Sequence, residues 1–204
     1  MIARATDIGW PRRDTQGWMA GMTSGRRRAE LFVDEERDGR LGARTTGEER
    51  LMLADFLAAQ RATLELKCAG LEGELALRSV RPSTLSLLGI VRHIADVERR
   101  WFRRVLAGQD VPLLFGSDVD PDQDFDGAVP DPAVIAAAWE AWRAEAAFAD
   151  RFVAEAPDLD VEGDDGWRGT VSLRWVLIHM IEEYARHNGH ADLLRERIDG
   201  AIGV

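Results

Sequence analysis

The chain is short of cysteine, lysine and long apolar runs, and each shortage excludes something. Cys68 is the only cysteine in 204 residues, so no internal disulfide can form and nothing calls for an oxidising compartment. No run of about 18 apolar residues occurs, which excludes a membrane-spanning helix. Met1 to Met22 holds no apolar stretch of the signal-peptide kind, and Arg12-Arg13 is not followed by one. The expected location is therefore the cytoplasm. Lys67 is the sole lysine, so nearly all positive charge is carried by arginine.

The formal net charge is -10, unevenly spread. Residues 1–44 carry nine Arg and seven Asp or Glu, which leaves 17 basic and 29 acidic groups for the rest. A body that acidic repels phosphate backbones, so nucleic-acid binding is not expected of it. The Arg26-Arg27-Arg28 cluster reads as part of a solvated, mixed-charge tail.

Residues 1–44 show no sustained periodicity and are rich in Gly, Arg and Asp, the composition of a largely disordered tail with a short helical stretch at Arg28–Glu36. Residues 45–204 read as one all-α domain, a four-helix bundle. Thr46 and Glu49 have capping-box spacing, and the helix they open should end near Gly70. A second helix is expected from Ser86 to Leu106, stopped by Gly108. A third starts at Asp131-Pro132 and runs to Pro157, and a fourth starts after Ser172 and runs to about Asp199, closed by Gly200. The Gly108–Pro130 connection carries Asp at alternate positions from 118 to 126 and reads as a solvated acidic crossover. Its Asp122-x-Asp124-x-Asp126-Gly127 run imitates a calcium loop, but the twelfth position is Ala133, where a bidentate Glu is needed. Residues 158–169 read as an ordinary flexible turn region, with Trp167 able to fold over a cleft.

The last helix holds His179, Glu183, His187 and His190. At about 100° per residue, with His179 at 0°, His190 falls near 20°, Glu183 near 40° and His187 near 80°. The apolar Trp175, Val176, Met180, Leu193, Leu194 and Ile198 occupy the same arc. A carboxylate in that position must protonate or find a partner, and a divalent cation satisfies it together with the imidazoles. Glu183 and His187 stand one turn apart on one face and can reach a common ion; a self-satisfied polar network without metal is the alternative. A further ligand must come from another helix. His93 lies at the edge of the second helix's apolar arc among arginines, while Glu98 lies inside it, so Glu98 competes as ligand or as an acceptor orienting an imidazole.

The stretches Leu85–Phe102 and Ser172–Leu194, with Val-Arg-His-Ile-Ala-Asp at 91–96 and His-Met-Ile-Glu-Glu-Tyr-Ala-Arg-His-Asn-Gly-His at 179–190, resemble the actinobacterial mini-circle protein branch of the DinB-like superfamily. The resemblance covers about residues 44–204. It implies an up-down-down-up four-helix bundle, often a homodimer, with a metal set open to solvent. Carried over by position, the ligands are His93, Glu183 and His187. In many relatives three histidines bind the metal; this chain has Glu183 at the first of the paired positions on the last helix, and in that it resembles the mycothiol-dependent maleylpyruvate isomerase branch. His179 and His190 match no usual ligand position and are expected behind the ligands or facing substrate.

Characterised relatives use mycothiol or bacillithiol as co-substrate. The resemblance thus implies a divalent metal, zinc foremost with nickel, iron or manganese as alternatives, serving a thiol-dependent transferase or isomerase in detoxification. A small-molecule thiol and an electrophile are its expected partners, with Arg174 or Arg186 available for an acidic co-substrate. The competing expectation is a non-catalytic, metal-stabilised stress-response or binding protein.

Overall fold

The computed structural model describes residues 40, 43–68, 70, 73–117 and 119–200. The expectations for residues 1–44, including a helix at Arg28–Glu36, fall almost wholly outside that range. Four long helices carry the fold. They are α1 (Glu49–Cys68), α2 (Leu87–Glu98), α4 (Pro132–Glu155) and α5 (Leu173–Ile198), with a four-residue α3 (Gln123–Asp126) in the connection before α4. Three starts are capped where the sequence puts a short polar side chain. Ser86 Oγ accepts the Gly89 N–H at 3.1 Å, Asp131 accepts the Ala133 N–H at 2.7 Å, and Ser172 Oγ accepts the Trp175 N–H at 3.2 Å. At α1 the expected cap fails: Gly47 has φ of 124°, incompatible with a helix, so α1 starts at Glu49 rather than after Thr46.

Cross-helix pairs give the helix directions. Glu49 meets Arg174, Gln60 meets Asn188 and Lys67 meets Asp192, so α1 and α5 run parallel. His93 faces His187, Glu98 faces Tyr184 and Trp101 faces Trp175, so α2 runs against α5. Arg50 reaches the Ala156 carbonyl while Arg143 reaches Glu65, so α4 runs against α1. The order is up-down-down-up, around a core that includes Leu57, Leu64, Ile90, Ile94, Phe102, Leu177 and Met180.

Glu98 belongs to this core and not to a metal centre. Its carboxylate is fully buried and accepts Arg61 Nε at 2.7 Å and the Tyr184 hydroxyl at 2.8 Å, and that hydroxyl accepts Trp142 Nε1 at 2.8 Å. One residue from each long helix thus joins a single polar cluster. Burial pushes the Glu98 carboxyl upward, and the Arg61 guanidinium opposes that shift. Arg61 and Tyr184 both bind Oε1, so the charge that made Glu98 look like a ligand has a protein counter-ion.

Two connections are more ordered than their composition suggests. After Glu98 the second helix widens into a π-helix over Arg99–Leu106. The expected flexible region after α4 contains a hairpin, β1 (Glu162–Asp165) paired antiparallel with β2 (Gly169–Ser172), with Gly163 opposite Val171. A Cβ at Gly163 would stand 2.3 Å from the Val105 carbonyl oxygen, so the hairpin docks on the π-helix where only glycine fits. The acidic crossover, expected to be solvated, is tied to α2 instead. Asp96 accepts the backbone N–H groups of Leu114, Phe115 and Gly116 at 2.5, 2.9 and 2.7 Å, and Arg92 donates to the Asp124 and Gln123 carbonyls at 2.8 and 2.9 Å. Polar groups on α2 thus satisfy loop backbone that would otherwise need water. Among the described residues no helix is long and apolar enough to cross a membrane.

Candidate metal centre

The loop tied down by Arg92 and Asp96 delivers α3 to the face of α2 that carries His93. Asp124, 6% exposed, brings Oδ2 to 2.7 Å from His93 Nδ1, and Phe125 stacks on the His93 ring at 4.3 Å between centroids. With Nδ1 held by a carboxylate, the His93 Nε2 is the nitrogen left for a ligand. Across the bundle, α5 presents Glu183 and His187 one turn apart. His187 Nε2 lies 3.8 Å from Glu183 Oε2, while its Nδ1 faces His190 Nδ1 at 3.5 Å. Each imidazole therefore has its outer nitrogen engaged and its inner one turned to the shared space.

One ligand atom from each of His93, Glu183 and His187 lies within 4.8 Å of the others. Ligands about 2.0–2.2 Å from a tetrahedral zinc stand roughly 3.5 Å apart, so modest side-chain closure brings this set into range. The donor chemistry fits as well. Burial, then the neighbouring His93, His190 and Arg186, push the His187 imidazole down to about 3, so it stays neutral and keeps a lone pair available. Glu183 is mostly buried, with His179 Nε2 at 3.5 Å and Arg186 Nη1 at 3.7 Å from Oε1. No contact in this set is a close hydrogen bond, and the carboxylate sits between imidazoles with room for an ion. Two imidazoles and one carboxylate suit zinc, nickel, iron or manganese.

The three residues line a cleft of about 400 Å³ whose walls are Val97, Trp101 and Phe125 and whose mouth carries Arg100, Trp167, Arg168 and Arg186. His179 lines the same cleft, stacked on Trp175 at 4.8 Å and edge-on to Trp101 at 5.0 Å. Burial lowers its pKa, against the pull of Glu183. His190 sits behind His187 and lines a separate groove of about 270 Å³ with Leu85 and Leu194. Of the two arginines considered for an acidic co-substrate, Arg186 reaches the cleft, while Arg174 is held elsewhere by Glu49 and Asp160. Asp124, Phe125, Arg100 and Arg168 are site residues that sequence reasoning did not single out. Asp124 was visible as an acidic residue in an Asp-rich loop, but nothing local marks which aspartate turns inward.

Cys68 does not line this cleft. It is buried, and burial pushes its thiol up to about 12, so the chain offers no nucleophilic sulfur of its own there.

Comparison with known proteins bears on the reaction class. No curated protein matches the chain. A family model described as mycothiol S-transferase matches residues 52–200, which takes in α1 from its fourth residue onward, the other three long helices, α3 and the hairpin. With that match over most of its length and a four-helix bundle to carry it, the chain belongs to the mycothiol S-transferase family.

Proposed function

We propose that the chain is a metal-dependent S-transferase. It joins mycothiol to an electrophile in detoxification, with one divalent cation, zinc foremost, held by His93, Glu183 and His187 in the cytoplasm. The observation that supports this most is the convergence of two imidazoles and one carboxylate, from α2 and α5, in a cleft of organic-substrate size. When bound, the cation supplies the Lewis acidity that favours thiolate over thiol near neutral pH.

The chain's own residues set the geometry. Asp124 and Phe125 fix the His93 ring, and His190 engages the outer nitrogen of His187. His93, Glu183 and His187 would hold the cation with three protein ligands, which would leave room for the thiol. Trp101, Val97 and Phe125 form an apolar wall that limits water around the reacting sulfur. In the transfer, the co-substrate sulfur forms a bond to the electrophilic carbon. The carbon's bond to its leaving group breaks with the electron pair going to that group, and the thiol proton passes to water at the open mouth.

The test is turnover of monochlorobimane with mycothiol, using protein purified without an affinity-metal column and analysed for metal content. About one metal per chain is expected, with a rate that vanishes on chelation and in His187→Ala. A rate no different from the His187→Ala control would remove the catalytic reading. Bound metal that raises the melting temperature without any rate would point instead to a non-catalytic, metal-stabilised protein.

A further inference from the structure

The mouth of the cleft carries more positive than negative charge, in a chain whose formal net charge is -10. Among the described residues, three arginines line the cleft, and Glu183 is the only acid in its lining. Arg186 is paired with Glu182 at 2.5 Å. The other two share one carboxylate: Asp165, 5% exposed at the end of β1, lies 3.2 Å from Arg100 Nη2 and 3.9 Å from Arg168 Nε. Asp165 also accepts the Trp167 backbone N–H at 3.3 Å. Arg168 is the looser partner, and its guanidinium lies over the Trp167 indole at 4.4 Å. That indole is 78% exposed at the hairpin turn, with the rest of the cleft's aromatic wall behind it.

An exposed indole with a guanidinium over its ring, whose nearest carboxylate is shared with Arg100, matches a specific kind of guest. The guanidinium receives a carboxylate through two parallel N–H donors, and the indole face accepts a planar π-system. The sulfur must reach the triad, so the second substrate approaches from the side that the hairpin turn borders. We infer that Arg168 and Trp167 form the electrophile subsite and select a planar acceptor bearing a carboxylate, such as an aryl or conjugated acid with a leaving group on the ring. The inference rests on the transferase reading for its chemistry, but the subsite itself would hold an unreactive analogue equally well.

The full chain, zinc-loaded and metal-stripped, is titrated calorimetrically with 3,5-dinitrobenzoate and with the neutral 1,3-dinitrobenzene. Dinitrobenzoate is expected to bind about tenfold more tightly in both forms. Arg168→Gln, which leaves Asp165 paired with Arg100, is expected to abolish that preference, whereas Arg168→Lys retains part of it. Trp167→Ala weakens both ligands alike. Equal binding of the two ligands by the unaltered chain overturns the inference. So does a preference that persists in Arg168→Gln or exists only with zinc, because the carboxylate then sits on the cation. Turnover of 4-chloro-3,5-dinitrobenzoate and 1-chloro-2,4-dinitrobenzene with mycothiol is read separately. A binding preference without turnover of either defeats the transferase reading and upholds the subsite, and turnover without a preference does the reverse.

Discussion

Asp124 Oδ2 and His93 Nδ1 lie 2.7 Å apart, joining a short helix in an acidic connection to a residue on the face of α2. The contact sets the imidazole's tautomer and ring orientation, and it turns one aspartate of a polar loop into a support for the proposed metal ligand.

Asp124→Asn should therefore weaken metal binding about 10- to 100-fold while leaving the fold in place. Competition with a chromophoric chelator gives the affinity and circular dichroism the fold. An affinity equal to that of the unaltered chain would mean that the contact does not act on the site.

Tyr184→Phe removes the hydroxyl that bridges Trp142 and Glu98. Leaving the Trp142 N–H without its acceptor in the core should lower stability by about 1–3 kcal/mol, read from urea unfolding. Metal content should stay near one per chain, since this cluster is separate from the triad. A loss well below 1 kcal/mol would show that the cluster adds little.

Cys68 should resist alkylation in the folded protein. Its thiol, pushed up to about 12 by burial, stays protonated at pH values near 8, and the thiolate is the reactive form. Iodoacetamide labelling followed by mass spectrometry should modify it only after denaturation. Cys68→Ala should leave mycothiol-dependent turnover intact, and a lost rate with retained fold would place the reactive sulfur in the chain itself.

Gly163→Ala should displace the hairpin from the π-helix, because the added Cβ would overlap the Val105 carbonyl. Overpacking of this kind lowers stability by about 1–3 kcal/mol. The turn that carries Trp167 and Arg168 moves with the hairpin, so the expected signature is a rise in KM for the electrophile greater than the fall in kcat. An unchanged KM with a lower melting temperature would confine the hairpin to a structural role.

The helices were legible because their signals are local. Ser86, Asp131 and Ser172 are short polar side chains at helix starts, and each caps the helix it precedes. Thr46 had the right spacing but the wrong neighbour, since Gly47 leaves the helical region before a turn can form. The hairpin had no local signal. Glu162-Gly-Asp-Asp has neither alternation nor β-propensity, and the strand exists because Gly163 lets it rest on the π-helix backbone.

The helical wheel succeeded and failed for one reason. It assumes that polar positions face water and that a polar group on the apolar side needs a special partner. Neighbouring arginines put His93 at the edge of the apolar arc, yet Arg92 is buried against loop backbone. Glu98 looked like a ligand, yet its Oε1 is held by the Arg61 guanidinium and the Tyr184 hydroxyl.

Sequence alone determined the pairing of Glu183 with His187, because four residues make one helical turn and place both on the core side whatever surrounds them. It equally determined four amphipathic helices that had to bury their apolar faces on one another. Which group from α2 joins that pair, which aspartate supports it and which arginines border the cleft were decided by tertiary structure. Those choices depend on contacts between segments some 30 to 95 residues apart, whose satisfaction no local pattern encodes.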